Sequence, residues 1–171
     1  MIKLIDLLKE NNDIPGLEVI RDWVVDDYNA NVGYNPNTNI NQLLQVLQPY
    51  KKQGTIYRVI SVPKDETDIK DYILKNKTGR YTSFSDYLNG VKYFLPYTEG
   101  DPSKKSIIVS QQSEYYSLSD WYNDNFDKLE ELYKNNPDEY WWIDTNLPEV
   151  SNTGEAIAKL NNDFEVVGKS K

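Results

Sequence analysis

The chain changes its hydrophobic period at Gly54, and that switch limits the architectures open to it. Before it, apolar residues recur three and four apart. Leu17, Ile20, Trp23, Val24 and Tyr28 follow a Pro15-Gly16 start signal, and Leu43, Leu44 and Leu47 follow a cap at Asn39 or Asn41. A shorter amphipathic helix at the start carries Ile2, Leu4, Ile5, Leu7 and Leu8 and ends at Asn11-Asn12. After Gly54 the run Thr55 to Ser61 is β-branched and aromatic and stops at Pro63, which predicts a strand. A short helix is expected over 66–76, a strand over Arg80 to Phe84, and a helix over Asp86 to Leu95 with Leu88, Val91 and Leu95 on one face. Strands are expected at 107–109 and 115–118. A helix capped by Ser119 then carries Trp121, Tyr122, Phe126, Leu129, Leu132 and Tyr133 as far as Asn135. Two last strands, 154–160 and 163–168, are joined by Asn161-Asn162, a pair suited to a tight hairpin. Helices first, then short strands with interspersed helices, is an α+β order. The 171 residues are expected to form a single domain, 1–171, with a helical N-terminal part at 1–50 and a β-rich core at 54–168.

Composition narrows the chemistry such a fold can host. There is no Cys and no His, which removes thiolate nucleophiles, Cys-ligated zinc, the Ser-His-Asp triad and imidazole proton shuttles. No metal is expected, and carboxylate chemistry is favoured. The net charge of −8 disfavours bulk binding to nucleic acid or an anionic membrane, so a small anionic ligand would need a locally positive pocket. Arginine, the better bidentate phosphate ligand, occurs only as Arg21, Arg58 and Arg80. The apolar runs are too short to cross a bilayer, and MIKLIDLLKENND lacks the continuous apolar stretch of a secretory signal. A soluble cytoplasmic protein is expected. The abundance of Asn, Lys, Ile and Tyr fits an AT-rich genome such as that of a phage or a low-GC bacterium, which would place a phage product in the host cytoplasm.

Three clusters can carry chemistry. Arg58, within Tyr57-Arg58-Val59, projects to the face opposite its two neighbours. It can grip a phosphate or serve as a structural strand charge. Tyr81-Thr82-Ser83-Phe84-Ser85 sets hydroxyls at a strand-to-helix junction, where they can hold a sugar, or where Ser85 or Asp86 can simply cap the helix. Glu155, within Thr153-Gly154-Glu155-Ala156-Ile157-Ala158, can be a catalytic carboxylate at the mouth of a cleft or an exposed edge charge.

Taken in order, these clusters resemble the ADP-ribosyltransferase family of the Arg-Ser-Glu type. GRYTSFSDYLNGVKYF is similar to that family's Ser-Thr-Ser strand and following helix, with Phe84 in place of the middle Thr. GEAIAKLNNDFEVVG is similar to its catalytic Glu and closing strands, and INQLLQVLQPYKKQGTIYRVIS to its lead-in and Arg strand. The resemblance spans roughly residues 16–168 and rests on about a dozen positions within them.

The resemblance implies a split, mainly antiparallel β-sandwich core that binds NAD as substrate. Arg58 would hold the phosphate and ribose region, Ser83 the nicotinamide-side ribose, and Ser85 would support the site. Tyr81 and Phe94 would wall the nicotinamide, although both suit an ordinary core equally. Glu155 would stabilise the oxocarbenium-like ribosyl cation as nicotinamide leaves. Many family members carry Glu or Gln two residues before the catalytic Glu to select the acceptor. Here Thr153 stands there, with Glu149 as a substitute from what reads as a loop, Pro148 to Gly154. The expected activity is mono-ADP-ribosylation of a macromolecular acceptor, such as a host or target protein, which Trp141 and Trp142 could contact. Plain NAD hydrolysis is an alternative. From other classes come a non-catalytic acidic interaction protein, such as a phage-type inhibitor keeping the fold, and a glycosidase pairing Glu155 with Asp144 or Glu149.

Overall fold

In the computed structural model the described residues are 14–27, 38–93, 95 and 101–169. The expected helix at residues 2–8, Tyr28, most of the Asn-rich turn and Phe94 lie outside them. The chain runs through α1 (Leu17–Asp27), α2 (Ile40–Val46), a 3-10 turn (Gln48–Tyr50), β1 (Lys51–Pro63), α3 (Ile69–Lys77), β2 (Tyr81–Ser85), α4 (Leu88–Lys92), β3 (Lys104–Ser117), α5 (Leu118–Asn135), α6 (Trp141–Thr145), α7 (Leu147–Thr153), β4 (Glu155–Lys159) and β5 (Glu165–Lys169). The α+β class is as expected. The strands form one antiparallel sheet in the order β1-β2-β4-β3-β5, and a further pairing of β1 with β3 closes it into a small barrel.

The two long strands organise the sheet. β1 pairs with β3 along its whole length, from Lys51 opposite Tyr116 to Pro63 opposite Lys104. The two strands expected at 107–109 and 115–118 are therefore one. Gln111 to Glu114 look like a loop in composition, but β1 supplies their backbone partners, and tertiary pairing overrides weak β-propensity. β2 and β4 pair from Tyr81 opposite Lys159 to Ser85 opposite Glu155. The seams between these two halves are thin: Tyr57 opposite Ser85 on one side, and Tyr116 and Ser117 opposite Ile157 and Ala156 on the other.

The expected terminal hairpin is not formed. β4 and β5 lie one after the other along the same edge of β3, with Ile157 opposite Tyr116 and Glu165 opposite Ser110. The chain thus continues across residues 160–164 without reversing. Gln111 bridges the break, donating from Nε2 to Lys159 O at 2.7 Å and accepting from the Asn161 amide at 2.9 Å. Asn161 N–H and Lys159 C=O would otherwise lose their ladder partners there, and the Gln side chain replaces them.

Two cores follow from strand alternation. Ile56, Ile60, Val62, Phe84, Val109, Ala156 and Ala158 share the barrel-side cluster, with Ile73 of α3 and Phe164 packed in. Alanines on β4 suit the narrow interior of a barrel with so few strands. Ile157, between those alanines, faces the other way into a helical core with Trp23, Leu43, Leu47, Leu118, Trp121, Leu129, Trp142 and Leu147. The N-terminal helices thus share one core with α5, α6 and α7. α5 is capped by Ser117, whose Oγ accepts from the Asp120 amide at 3.2 Å, rather than by Ser119. Among the described residues no helix is long and apolar enough to cross a membrane.

Candidate active site

The three sequence clusters lie on the adjoining strands β1, β2 and β4, with the Ser83 and Glu155 side chains on the sheet face toward the helical core and the Arg58 side chain on the barrel face. Pairing sets Ser83 opposite Ile157 and Ser85 opposite Glu155, so the side chains of Ser83 and Glu155 share the sheet face that looks toward the helical core. Ser83 Oγ donates to Glu155 Oε1 at 2.7 Å. The same oxygen accepts the Trp23 indole Nε1–H at 2.9 Å, from helix α1. Glu155 is therefore held by donors from two separate elements, neither of them a formal cation.

Arg58 enters from the barrel side. It lies on the β1 face that carries buried Ile56 and Ile60, its guanidinium 5.9 Å from the Phe84 ring centre. Its Nη1 donates to the Ser83 carbonyl oxygen. One bond pair alone, Tyr57 with Ser85, joins β1 to β2, and the guanidinium spans the strands beside that seam. Arg58 does not stand alone electrostatically. Burial, and after it the charges of Arg58, Lys104 and Arg80, pushes the Lys77 ammonium below its ordinary range. Lys104 is itself paired with Asp101 at 3.1 Å.

Ser85 supports the turn that delivers Glu155. It is buried, and its Oγ lies 2.6 Å from Thr153 O and 2.7 Å from Tyr87 O. Neither Ser85 nor Asp86 is the helix cap expected from sequence, because α4 starts later, after Tyr87, with no side-chain cap. Between Thr153 and Glu155 the backbone turns from helix to strand through Gly154, at φ +60°. A Cβ on Gly154 would overlap Asp86 Oδ1 and stand 2.6 Å from the Tyr87 ring, so glycine is required by both conformation and space. A Cβ on Gly90 would likewise overlap Thr153 O and Ser85 Oγ, which shows how closely α4 is set against this turn.

The segment read as an acceptor loop is helix α7. Thr153 is buried in its last turn, its Oγ1 donating to Glu149 O at 2.8 Å, so it faces the protein interior. Glu149 accepts from Tyr93 Oη at 3.3 Å. Tyr81 is half-buried, packed against the helical core, with Lys159 Nζ 4.8 Å from its ring centre. Phe94 lies outside the described residues. Trp142 is buried and Trp141 exposed. Asp144 lines an apolar groove of about 240 Å³ with Tyr122, Phe126 and Ile143, and a second cavity of about 390 Å³ is lined by Tyr50, Lys52, Asp120 and Asp124. Neither has Arg58, Ser83 or Glu155 in its walls.

Trp23 is the participant that sequence reasoning missed. Its three-and-four spacing marks it as a core residue, which it also is, and nothing local signals an acceptor 132 residues away. No protein-family model, curated protein or solved structure matches the chain.

Proposed function

We propose that this protein is a mono-ADP-ribosyltransferase that cleaves NAD at the nicotinamide–ribose bond and passes ADP-ribose to a macromolecular acceptor. The observation that carries the reading is the link from Arg58 to the Ser83 carbonyl and from Ser83 Oγ to Glu155 Oε1, which joins the three motif residues across three strands. The strands form one closed sheet, in which β2 and β4 join β1 and β3 through few residue pairs, and in this reading those thin seams stand where the family's two sheets part.

In this reading the glycosidic electron pair leaves with nicotinamide and the ribosyl carbon becomes cationic. A carboxylate held in place beforehand lowers the cost of that cation, because no reorganisation is needed as charge develops. Arg58 suits the pyrophosphate, where a planar fork with permanent charge is favoured. The acceptor nucleophile then takes the ribosyl carbon and loses its proton.

The test is incubation of the purified protein with labelled NAD and a cell lysate, comparing wild type with Glu155→Gln. Nicotinamide release and labelling by wild type, both lost in E155Q, are the expected result. Release without labelling would make the protein an NAD glycohydrolase. One observation favours a second reading. Arg58 already has a backbone acceptor in Ser83, a use that a structural bridge would also explain, as in a non-catalytic acidic interaction protein. Wild-type protein that neither consumes NAD nor binds it by calorimetry would overturn the transferase reading and leave that alternative standing.

A further inference from the structure

We infer that Trp23 is a positioning residue for Glu155, which makes helix α1 a working part of the site; the inference rests on the transferase reading above. Trp23 is 0% exposed, so it cannot touch a substrate and any influence on chemistry must pass through another residue. Its ring lies in the helical core, while its indole N–H donates to Glu155 Oε1 at 2.9 Å. A buried indole N–H needs an acceptor, and a carboxylate oxygen makes that bond stronger than a neutral one would.

The second donor to the same oxygen gives the contact its purpose. Ser83 reaches Oε1 from β2 and Trp23 reaches it from α1, so two elements from different layers converge on a single atom. An ionised carboxylate oxygen offers about two lone-pair directions, and two donors settle the rotation of the group about its terminal bond. Glu155 is the first residue of β4, directly after the left-handed glycine turn, and its flexible side chain has three torsions to fix. Ser83 by itself would restrain the oxygen from one side. Trp23 adds a restraint from a side chain that packing has made rigid. A carboxylate aimed in advance is what a developing ribosyl cation requires.

The experiment compares wild type with Trp23→Phe, which keeps an aromatic ring in the core and removes the N–H. NAD cleavage should show kcat down roughly 10-fold with KM for NAD within about twofold, since only the transition state uses the aimed carboxylate. In ¹⁵N-labelled protein, the indole N–H resonance missing from W23F should move upfield in Glu155→Gln, while those of the other tryptophans stay. A folded W23F that matches wild-type kcat, or a Trp23 indole resonance unmoved in E155Q, would overturn the inference while leaving the transferase reading intact. Wild-type protein that leaves NAD intact would overturn both. Should W23F fail to fold, the resonance is assigned by its through-space contacts with Ser83, and the E155Q comparison decides alone.

Discussion

Asp86 and Gly154 interlock at the turn that precedes Glu155. The Asp86 amide donates to Gly154 O at 3.0 Å, and Asp86 Oδ1 occupies the space that a Cβ on Gly154 would need. This contact ties the end of β2 to the end of α7 and sets where β4 begins. The first residue of β4 is Glu155, so the geometry of the proposed catalytic carboxylate depends on a glycine that touches no substrate in that reading.

Gly154→Ala should therefore be costly twice over. A non-glycine residue at φ +60° is disfavoured by about 1 kcal/mol, and its methyl group would have to displace Asp86 and the Tyr87 ring. The expected loss is about 2–3 kcal/mol, a fall in Tm of roughly 5–10 °C. NAD cleavage should drop as well in protein that is still folded at assay temperature. Thermal melts beside turnover measured well below Tm would check both. An unchanged melt would mean that the turn relaxes freely.

Asp86 itself predicts a pH dependence. Burial raises its carboxyl above the usual value of 3.8, Lys52 opposes the shift, and the Asp120 carboxylate adds to it. In the window between 3.8 and the raised folded value, the folded state binds more protons than the unfolded one. Stability contributed by this group is thus present at low pH and lost as pH rises through the folded value. Asp86→Asn removes the penalty for a half-buried charge. Tm at pH 7 should rise by about 2 °C, a small gain because solvent still screens the group. The advantage should vanish below pH 3.8. A variant that is less stable at pH 7 would show that Asp86 is held by its attraction to Lys52 instead.

How far the sequence was readable follows from where each signal resides. α1 and α5 were legible because their apolar spacing repeats within a few residues, although the cap of α5 is Ser117 and not the expected Ser119. Arg58, Ser83, Ser85 and Glu155 each stand out as candidates within a short stretch, whereas the hydrogen bonds that link Arg58, Ser83 and Glu155 arise from strand pairing. What was hidden depends on partners distant in the chain. β3 is continuous because β1 lies beside Gln111 to Glu114. The stretch from Pro148 to Thr153 looks like a loop, yet it is helical, and Thr153 is buried among groups that local sequence does not announce. Trp23 follows the same logic, since helical periodicity explains its burial but says nothing about what its N–H meets.

The break between β4 and β5 offers the sharpest test of this long-range organisation. The chain there does not reverse, and the side chain of Gln111, only 3% exposed, spans the gap with one donated and one accepted hydrogen bond. Gln111→Ala would leave Lys159 C=O and Asn161 N–H without these partners in a partly enclosed place. The expected cost is about 2 kcal/mol, or roughly 4–8 °C in Tm. Because β5 is held to β3 through four residue pairs among the described residues, Ile107 to Ser110 on β3, the loss should also loosen β5 selectively. Amide exchange should accelerate in residues 165–168 and stay slow in β1 and the central part of β3. If the whole sheet exchanged faster in parallel, Gln111 would be supporting the barrel globally. If a folded variant kept its Tm and its slow β5 amides, the backbone at the break would be solvated without its help.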